Sequence, residues 1–391
     1  MMQHISEKKT EPLLIMHQRF TNWLFDEALP FWATAGCDGT PENPALYGAQ
    51  ESLTLEGVSA QAPFKRVRVQ ARQLFVFSWA ALQGQAEGRS RADGIFAFLC
   101  NAHNEQGKWG RSLTPEGQLL DPTADLYDLA FVIFALAWYE RLDQSGKALA
   151  LARQALRWIS ENMSTPQGGF FNTLPAGDEP RQQNPHMHLF EAILALYETT
   201  GEIADLTQAH ALYALFSQFL QDETTGTLGE YFTSDWAPAP GHEGNWLEPG
   251  HHFEWVWLLS EYERLTGVIT KTRADRLYQF AKRYGPDPAT GLVCDALGRD
   301  GSVLKASSRL WVQGETLRAV LTVDPQDTDG LAARIVTNLL ERYFTDCPAG
   351  TWHDQLNEAA YPVSKAIPAS SLYHIITAYD VLNKVRSEVT Q

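Results

Sequence analysis

Apolar residues along the chain follow two helical patterns that alternate. Segments such as GKALALARQALRWISENM place their apolar residues on one stripe and charged residues elsewhere, which is typical of a surface helix. Segments such as DLYDLAFVIFALAW are apolar nearly all round, which indicates a helix that is enclosed on every side. The pattern therefore predicts an outer set and an inner set of helices.

The enclosed type of segment recurs along the whole chain, each time with a polar residue just before it or in its first turn. Successive polar positions are 56, 63, 63, 61 and 59 residues apart. They are Arg72, Asp128, Glu191, Glu254, Glu315 and His374. A near-constant period of this length indicates a repeat architecture, in which each unit buries its apolar face against its neighbours.

Six pairs of one amphipathic and one enclosed helix are expected to pack side by side and to close on themselves. We therefore predict an all-α fold, an (α/α)6 barrel of twelve helices in two concentric rings, as a single domain over residues 1–391. The amphipathic helices are expected near residues 13–33, 89–102, 145–163, 203–221, 270–284 and 328–344. The enclosed helices are expected to begin near residues 63, 123, 185, 249, 308 and 369.

Long connections rich in glycine and proline follow the amphipathic helices, whereas short ones such as TGE and TGV follow the enclosed helices. Long loops in compact domains are usually functional. All the long connections then lie at the end of the barrel where the enclosed helices start. The sequence predicts the mouth of a binding cavity at that end.

Charge and composition limit the classes of partner that the protein is expected to bind. A formal net charge of −16 argues against nucleic acid, because affinity for phosphates depends on lysine and arginine. No apolar run approaches the roughly 20 residues that span a bilayer, and the N-terminus has no signal-peptide pattern. We expect a cytoplasmic monomer or homodimer that acts on a small molecule, with no membrane partner. The scattered cysteines, without a CxxC pair, are expected to be reduced.

Polar residues suited to acid–base chemistry gather at the predicted starts of the enclosed helices, and five of the eleven histidines stand there. The set comprises Arg72, Tyr127, Asp128, His186, His188, Glu191, His251, His252, Glu254, Trp311, Gln313, Glu315, His353 and His374. Any one histidine is as readily a helix cap as a catalytic group, so the convergence is what favours a functional site.

The spacing within this set points to histidine–carboxylate pairs. His188 and Glu191 lie three residues apart, one turn along a helix face, which suits a carboxylate that orients an imidazole and raises its basicity. The same spacing relates His251 to Glu254. Histidine, with a pKa of about 6.5, is suited to moving protons reversibly at neutral pH. The pairs therefore favour proton transfer.

Other interpretations stay open. A metal site has less support, because HExxH, paired ExxH motifs and nearby cysteines are missing from the sequence. An inverting glycosidase would need only a carboxylate pair around a sugar. A non-catalytic sugar-binding scaffold would need only the cavity and its aromatic walls. Among the tryptophans we expect Trp311 to form a ligand wall, and Trp79 and Trp257 to fill the core.

Six motifs in chain order resemble the N-acylglucosamine 2-epimerase family. They are VQARQ, DLYDLAF, NPHMHLFEA, EPGHHFEW, LWVQGETLRA and PASSLYH. Within the family the chain is most similar to the branch that contains D-mannose isomerase and the related sulfoquinovose isomerase. The resemblance covers essentially the full chain. It implies an (α/α)6 barrel and a proton-transfer reaction at carbons 1 and 2 of a sugar, without metal or other cofactor.

The resemblance also implies roles for individual residues. It makes His251 and His374 the two acid/base groups. The substrate-binding residues that it implies are Arg72, Tyr127, His188, Glu254, Trp311 and Glu315. His251 would help to open the pyranose ring, and His374 would carry the proton between C2 and C1 through a cis-enediolate, although the two roles fit the pair in either order.

We therefore predict an aldose–ketose isomerase that interconverts D-mannose and D-fructose. The alternatives are a 2-epimerase of a free or N-acylated hexose, and an isomerase of a C6-substituted sugar such as sulfoquinovose. A neutral sugar is preferred because no basic residue beyond Arg72 can be placed deep in the mouth. Of the adjacent histidines in EPGHHFEW, we expect His251 to be catalytic with Glu254 behind it, and His252 to be structural.

Overall fold

A computed structural model describes residues 3–39, 48–328 and 330–389 of the chain. Within these ranges, twelve helices follow one another around a ring. They are α1 (Gln3–Asn22), α2 (Val67–Leu82), α3 (Gly88–Leu99), α4 (Leu126–Asp143), α5 (Lys147–Asn162), α6 (Gln183–Thr200), α7 (Leu206–Leu215), α8 (Pro249–Thr266), α9 (Lys271–Tyr284), α10 (Leu310–Val323), α11 (Leu331–Asn338) and α12 (Leu372–Val389).

Even-numbered helices form the inner ring and odd-numbered helices the outer ring. In α5 the buried residues fall on one stripe, Ala148, Ala152, Ala155, Leu156 and Ile159, as expected of a helix with solvent on one side. In α4 almost every residue from Leu126 to Ala137 is buried. Each inner helix packs against the next, and α12 packs against α2, which closes the ring. The predicted two-ring arrangement is confirmed.

The predicted boundaries hold within a few residues for most helices. The first outer helix is the exception, because α1 begins at Gln3, ten residues before the expected position. Residue 329, in the last predicted outer helix, lies outside the described residues. Short helical segments extend or join the main helices: the π-helical Trp23–Ala28, Phe216–Leu220 and Leu339–Tyr343, the α-helical Leu29–Thr34 and Gly241–Asn245, and the 3-10 segments Cys100–Ala102, Ile203–Asp205 and Ala369–Ser371.

Helix ends follow from local sequence. Pro249 occupies the first turn of α8, where its missing N–H costs nothing. Gly267 ends the same helix with φ of +74°, in the left-handed region that favours glycine. The short TGV connection can therefore turn the chain directly into α9.

Two- and three-residue strands cover the end of the barrel where the inner helices start. They are Ser52–Leu53, Lys65–Arg66, Ser112–Leu113, Leu119–Asp121, Ala124–Asp125, Thr173–Leu174, Arg181–Gln182, Gln221–Asp222, Thr227–Leu228, Tyr231–Phe232, Ala296–Leu297, Val303–Lys305, Ser308–Arg309, Gln355–Leu356 and Ile367–Pro368. The strand just before an inner helix typically pairs with a strand of the next long connection, as Arg181–Gln182 pairs with Tyr231–Phe232. Ile367–Pro368 pairs with Ser52–Leu53, which links the last unit to the first.

One large hydrophobic cluster runs from Leu13 to Leu382 and joins both rings. Trp79 is buried in it, as predicted, whereas Trp257 is only partly buried and packs against its edge. No helix among the described residues has both the length and the apolar character needed to cross a membrane.

Candidate active site

A cavity of about 330 Å³ opens at the strand-covered end, between the starts of the inner helices. Most of the predicted site residues line it: Arg72, Tyr127, His188, His251, Glu254, Trp311 and His374. Glu315 is fully buried and contacts His374 from behind. The structure therefore brings together at one place the residues that the sequence places on separate helices.

Buried histidines at the starts of α6 and α8 hold the neighbouring connections. His186 Nε2 accepts a hydrogen bond from the Phe170 N–H at 2.9 Å, and His252 Nε2 accepts one from the Leu228 N–H at 2.9 Å. The Nδ1 atom of each donates to the carbonyl four residues earlier. Burial lowers the pKa of both imidazoles to about 4, so both are neutral, as this bonding requires. His252 is structural, as predicted.

Glutamines take the same position in other inner helices. Gln70 bonds both backbone groups of Ala49, and Gln313 bonds both backbone groups of Val293. A residue two positions after each of these glutamines and histidines lies about 200° around the helix axis, so its side chain points to the opposite side of the helix. The residues at these positions are Arg72, His188, Glu254 and Glu315. The sequence repeat aligns Glu191 with Arg72, Glu254 and Glu315, but in the structure His188 takes the equivalent position on its helix.

Replacing His252 by alanine is expected to destabilise the fold and to spare the chemistry. The buried Leu228 N–H would lose its partner, which costs about 1–3 kcal/mol of the free energy of unfolding, whereas the Glu248 carbonyl keeps its bonds to the backbone N–H groups of residues 251 and 252. Urea denaturation measures this loss, with the exposed His242→Ala variant as the matched control. A fall in kcat without a loss of stability would contradict the structural role.

His251 is held by Glu230, not by Glu254 as the spacing predicts. Its Nδ1 lies 2.9 and 3.0 Å from the two oxygens of the Glu230 carboxylate, which can only accept, so Nδ1 carries a proton. Glu230 lies just before the Tyr231–Phe232 strand and is also fixed by Gln183 Nε2 at 3.0 Å. Burial lowers the pKa of His251, but the Glu230 carboxylate outweighs it, and the net pKa is above the ordinary value.

His374 is held by Glu315 from the neighbouring inner helix. Its Nδ1 lies 2.7 Å from Glu315 Oε1. Burial, together with the nearby Arg72 and Arg318 cations, brings the pKa of His374 well below that of a free imidazole. This pKa favours the neutral imidazole, and the tautomer that donates its Nδ1 proton to an ionised Glu315 leaves Nε2 unprotonated. The two histidines thus have pKa values displaced in opposite directions.

His188 forms the helical pair with Glu191 that the spacing predicts, with Nδ1 3.1 Å from Oε2. The Tyr373 hydroxyl lies 2.6 Å from both Glu191 oxygens. Burial raises the pKa of Glu191, but His188, Arg318 and Tyr373 outweigh it and keep the pKa below its usual value. Glu191 is therefore an ionised anchor for His188.

Glu254 lines the cavity without an anchor of its own. Both carboxyl oxygens are buried, and neither has a hydrogen-bond partner among the described residues. Its Oε1 lies 3.8 Å from His188 Nδ1. Burial and the negative charges of Glu315 and Glu191 raise its pKa well above the usual value. A protonated Glu254 can donate a hydrogen bond to a sugar oxygen.

Arg72 is a buried cation in the cavity wall. Its Nη2 donates to the Tyr127 hydroxyl at 2.6 Å, and its guanidinium lies 4.1 Å from the Phe131 ring centroid. Its Nε atom is buried and has no hydrogen-bond partner in the described part of the chain. A fixed cation of this kind can stabilise negative charge that develops on a bound sugar.

Trp311 lies between His251 and His374, the two histidines whose pKa values are displaced in opposite directions. Its ring centroid is 5.0 Å from that of His251 and 5.6 Å from that of His374. A Cβ atom on Gly250 would come within 2.6 Å of the Trp311 ring, which explains the glycine before His251. The indole is placed to form a ligand wall between the histidines.

Other residues of the predicted set lie outside the cavity lining. Asp128 forms an ion pair with Arg68 at 2.9 Å, and burial raises the pKa of Asp128 to about 7. Gln313 bonds the backbone of Val293, and His353 is only partly buried and does not line the cavity.

The cavity contains a basic residue that the sequence expectation missed. Arg309 lines it together with Arg72, but its guanidinium donates to Glu248 at 2.8 Å and to Asp295 at 3.1 Å. An adjoining compartment of about 410 Å³ is lined by arginines that are likewise paired with carboxylates: Arg66 with Glu51, Arg68 with Asp128 and Arg111 with Asp125. The positive charge at the mouth is therefore largely neutralised.

His188, Glu191 and Glu254 form a group of possible metal ligands, with ligand atoms within 4.8 Å of one another. A metal ion requires an unprotonated imidazole nitrogen and free carboxylate lone pairs. Here His188 Nδ1 bonds to Glu191, whose two oxygens also accept from Tyr373. The oxygens of Glu254 have no partner among the described residues, but the raised pKa of Glu254 disfavours the charged form that a metal ion binds. The bonding of this group suits a hydrogen-bond network better than a metal site.

Comparison with known proteins places this site in a family. The sequence profile of the N-acylglucosamine 2-epimerase (GlcNAc 2-epimerase) family matches residues 48–378. The chain is 31% identical over 369 residues to a mannose-6-phosphate isomerase of Rhizobium meliloti, which covers 91% of this chain and 94% of that protein. It is 26% identical over 399 residues to a D-mannose isomerase of Pseudomonas cannabina pv. alisalensis, with 92% and 94% covered.

The fold has a close structural counterpart. The cellobiose 2-epimerase of Spirochaeta thermophila superposes with a TM-score of 0.84 at 24% identity, over 96% of this chain and 98% of that one. At this identity the likeness shows the fold alone, and it confirms the predicted helical barrel. The family profile covers most of the chain, and the chain therefore belongs to the N-acylglucosamine 2-epimerase family.

Proposed function

We propose that this enzyme is an aldose–ketose isomerase that interconverts D-mannose and D-fructose. Family membership makes it a sugar isomerase or epimerase, and two of its relatives carry the name of a mannose isomerase or mannose-6-phosphate isomerase. One observation supports the proposal most: His251 and His374 flank Trp311, each is held by a carboxylate of its own, and their pKa values are displaced in opposite directions.

Ring opening is the task that suits His251. Its raised pKa makes the protonated form available at neutral pH, and Glu230 fixes its orientation. His251 would give its Nε2 proton to the ring oxygen as the C1–O5 bond breaks, and would take up the proton of the 1-hydroxyl. The product is the open-chain aldehyde, and His251 returns to its starting state.

Proton transfer between carbons suits His374. Its neutral Nε2 would take the C2 proton of the open aldose, which leaves a cis-enediolate and an imidazolium. His374 then returns the proton to C1, while the hydroxyl proton passes from O2 to O1, and the ketose results. Arg72, as a cation, and Glu254, whose raised pKa favours the protonated form, both line the cavity and would stabilise the negative charge on the two oxygens.

Epimerisation at C2 would use the same two histidines, because a base on one face and an acid on the other also invert that carbon. The relatives with isomerase names favour isomerisation. A neutral sugar is supported by the pairing of the mouth arginines with carboxylates. A 6-phosphate is the competing substrate, because the arginine-lined compartment adjoins the cavity and shares Arg72 with it.

We expect D-mannose incubated with the enzyme in D2O and EDTA to give fructose, with deuterium at C1 in the turnovers in which the His374 imidazolium exchanges its proton with solvent before it protonates C1, as read by NMR. The pH profile should be bell-shaped, because His374 must be neutral and His251 protonated. Formation of glucose without fructose would show that the enzyme is a 2-epimerase and not an isomerase. Loss of activity in EDTA would show that the reaction needs a metal ion. A higher kcat/KM for mannose 6-phosphate than for mannose would overturn the neutral substrate.

A further inference from the structure

A single buried guanidinium lies between the carboxylates that support two of the site histidines. Arg318 on α10 is 1% exposed. Its Nη1 donates to Glu315 Oε2 at 2.6 Å, and its Nη2 lies 3.7 Å from Glu191 Oε1. Glu315 in turn holds His374, and Glu191 holds His188. Arg318 thus contacts the groups behind the histidines and does not line the catalytic cavity.

Arg318 is itself held in place by an aromatic ring. The guanidinium carbon lies 3.8 Å from the centroid of the Trp257 ring on α8, close enough for a cation–π contact in a desolvated position. Arg318 follows Glu315 by three residues, one turn along the same helix face. Helix geometry and stacking therefore fix the cation beside Glu315.

Glu315 needs a cation at this position. Burial raises the pKa of Glu315, and the net pKa stays above the usual value even though Arg318, the strongest of the opposing influences, lowers it. Other charged or titratable groups act on Glu315 from the packed helices: His188 of α6, His251 and Glu254 of α8, and Tyr373 and His374 of α12. Glu191 of α6 shares Arg318 with Glu315. Glu254 and Glu315 disfavour each other's charged form, so only one of the two is readily ionised.

We propose that Arg318 is a positioning residue for proton transfer, because it keeps Glu315 ionised and aimed at His374 Nδ1. An ionised Glu315 can only accept, so the His374 proton stays on Nδ1 and Nε2 is free to receive the C2 proton. A protonated Glu315 would donate to Nδ1 instead and place the imidazole proton on Nε2. That tautomer is not a base toward the sugar. This inference rests on the proposed role of His374.

The test compares Arg318→Met with Arg318→Lys by the rate of exchange of the mannose C2 proton with solvent D2O as a function of pH. We expect Arg318→Met to move the acid limb about one pH unit upward, because Glu315 and His374 both lose the cation that lowers their pKa values, so that kcat for exchange falls about tenfold at pH values on that limb. KM should change little, because Arg318 does not line the catalytic cavity. Arg318→Lys should restore most of the rate and the original limb.

Arg141→Met is the matched control. Arg141 also stacks on a tryptophan, with 4.2 Å to the Trp138 centroid, and also pairs with a carboxylate, Glu198 at 3.1 Å. We expect this variant to lose stability without a shift of the acid limb. Thermal melting reports the folding of each variant, and the lysine variant decides the test if the methionine variant does not fold.

An unmoved acid limb in Arg318→Met, or a lysine variant that folds and stays as slow as the methionine variant, would overturn the positioning role. Exchange of the C2 proton can be measured whether the product is a ketose or an epimer. Failure of the mannose isomerase assignment is therefore distinguishable from failure of this inference.

Discussion

Replacing His374 by alanine should lower kcat for mannose isomerisation by about 10²–10⁴-fold, the usual contribution of a positioned general base. The physical reason is the state of the imidazole. Burial and the surrounding cations keep His374 neutral, and Glu315 holds its proton on Nδ1, so Nε2 is a base that is ready without prior deprotonation. Initial rates of fructose formation by NMR measure the loss.

The same variant should retain ring opening. In the proposed mechanism His251 opens the pyranose with support from Glu230, and neither residue contacts Glu315 through a hydrogen bond in the described structure. The rate of anomer interconversion of mannose, measured by saturation-transfer NMR, should therefore stay within about threefold of that of the unchanged enzyme.

His353→Ala serves as the control, because His353 lies in the connection before α12 and does not line the cavity. More than a tenth of the activity surviving in His374→Ala would remove His374 from the role of base. Loss of both isomerisation and anomer interconversion would instead show that one histidine serves both steps.

The barrel could be predicted because its sequence signal is redundant. An enclosed helix must be apolar all round, and this pattern recurs along the chain with a near-constant period, so an error in one copy does not alter the count. The start of α1 is not predicted, because Gln3–Asn22 begins ahead of the amphipathic segment. Helix periodicity also located His188 and Glu191, because both partners lie on one helix.

The partner of His251 could not be predicted in the same way. Residue spacing reports contacts along one helix, whereas Glu230 reaches His251 from a connection whose position depends on pairing between Tyr231 and Gln182. The spacing therefore pointed to Glu254, which lies nearer to His188. A carboxylate beside a two-residue strand in a long connection has no periodic pattern to mark it.

The position of Arg318 in the sequence indicates a buried ion pair. It stands in LWVQGETLRAVL, within an inner helix that offers no side to solvent. A charged side chain in such a helix costs several kcal/mol unless it is paired. Its presence therefore requires a buried carboxylate partner, and Glu315 one turn earlier is the nearest acidic residue in the helix.

Replacing Glu230 by glutamine should move the alkaline limb of the pH profile to lower pH. His251 is proposed to act in its protonated form, and Glu230 raises its pKa against the effect of burial. Without the carboxylate, burial prevails and the pKa falls below the ordinary value. The protonated fraction above that pKa drops tenfold for each unit, so kcat/KM should fall about 10–100-fold at mildly alkaline pH and less at acidic pH. Rates of fructose formation between about pH 5 and 9 measure the shift.

Glu243→Gln is the control for this shift, because it removes one negative charge from an exposed position in the same connection. In Glu230→Gln the glutamine keeps an oxygen that can accept from His251 Nδ1. The orientation of the imidazole is therefore largely preserved, and the variant changes only the charge. If Glu230→Gln shifts the acid limb instead, His251 is the base. The roles of His251 and His374 are then exchanged. An unchanged profile would remove Glu230 from the reaction, because a carboxylate 2.9 Å from an imidazole that titrates in the reaction cannot be removed without changing its pKa.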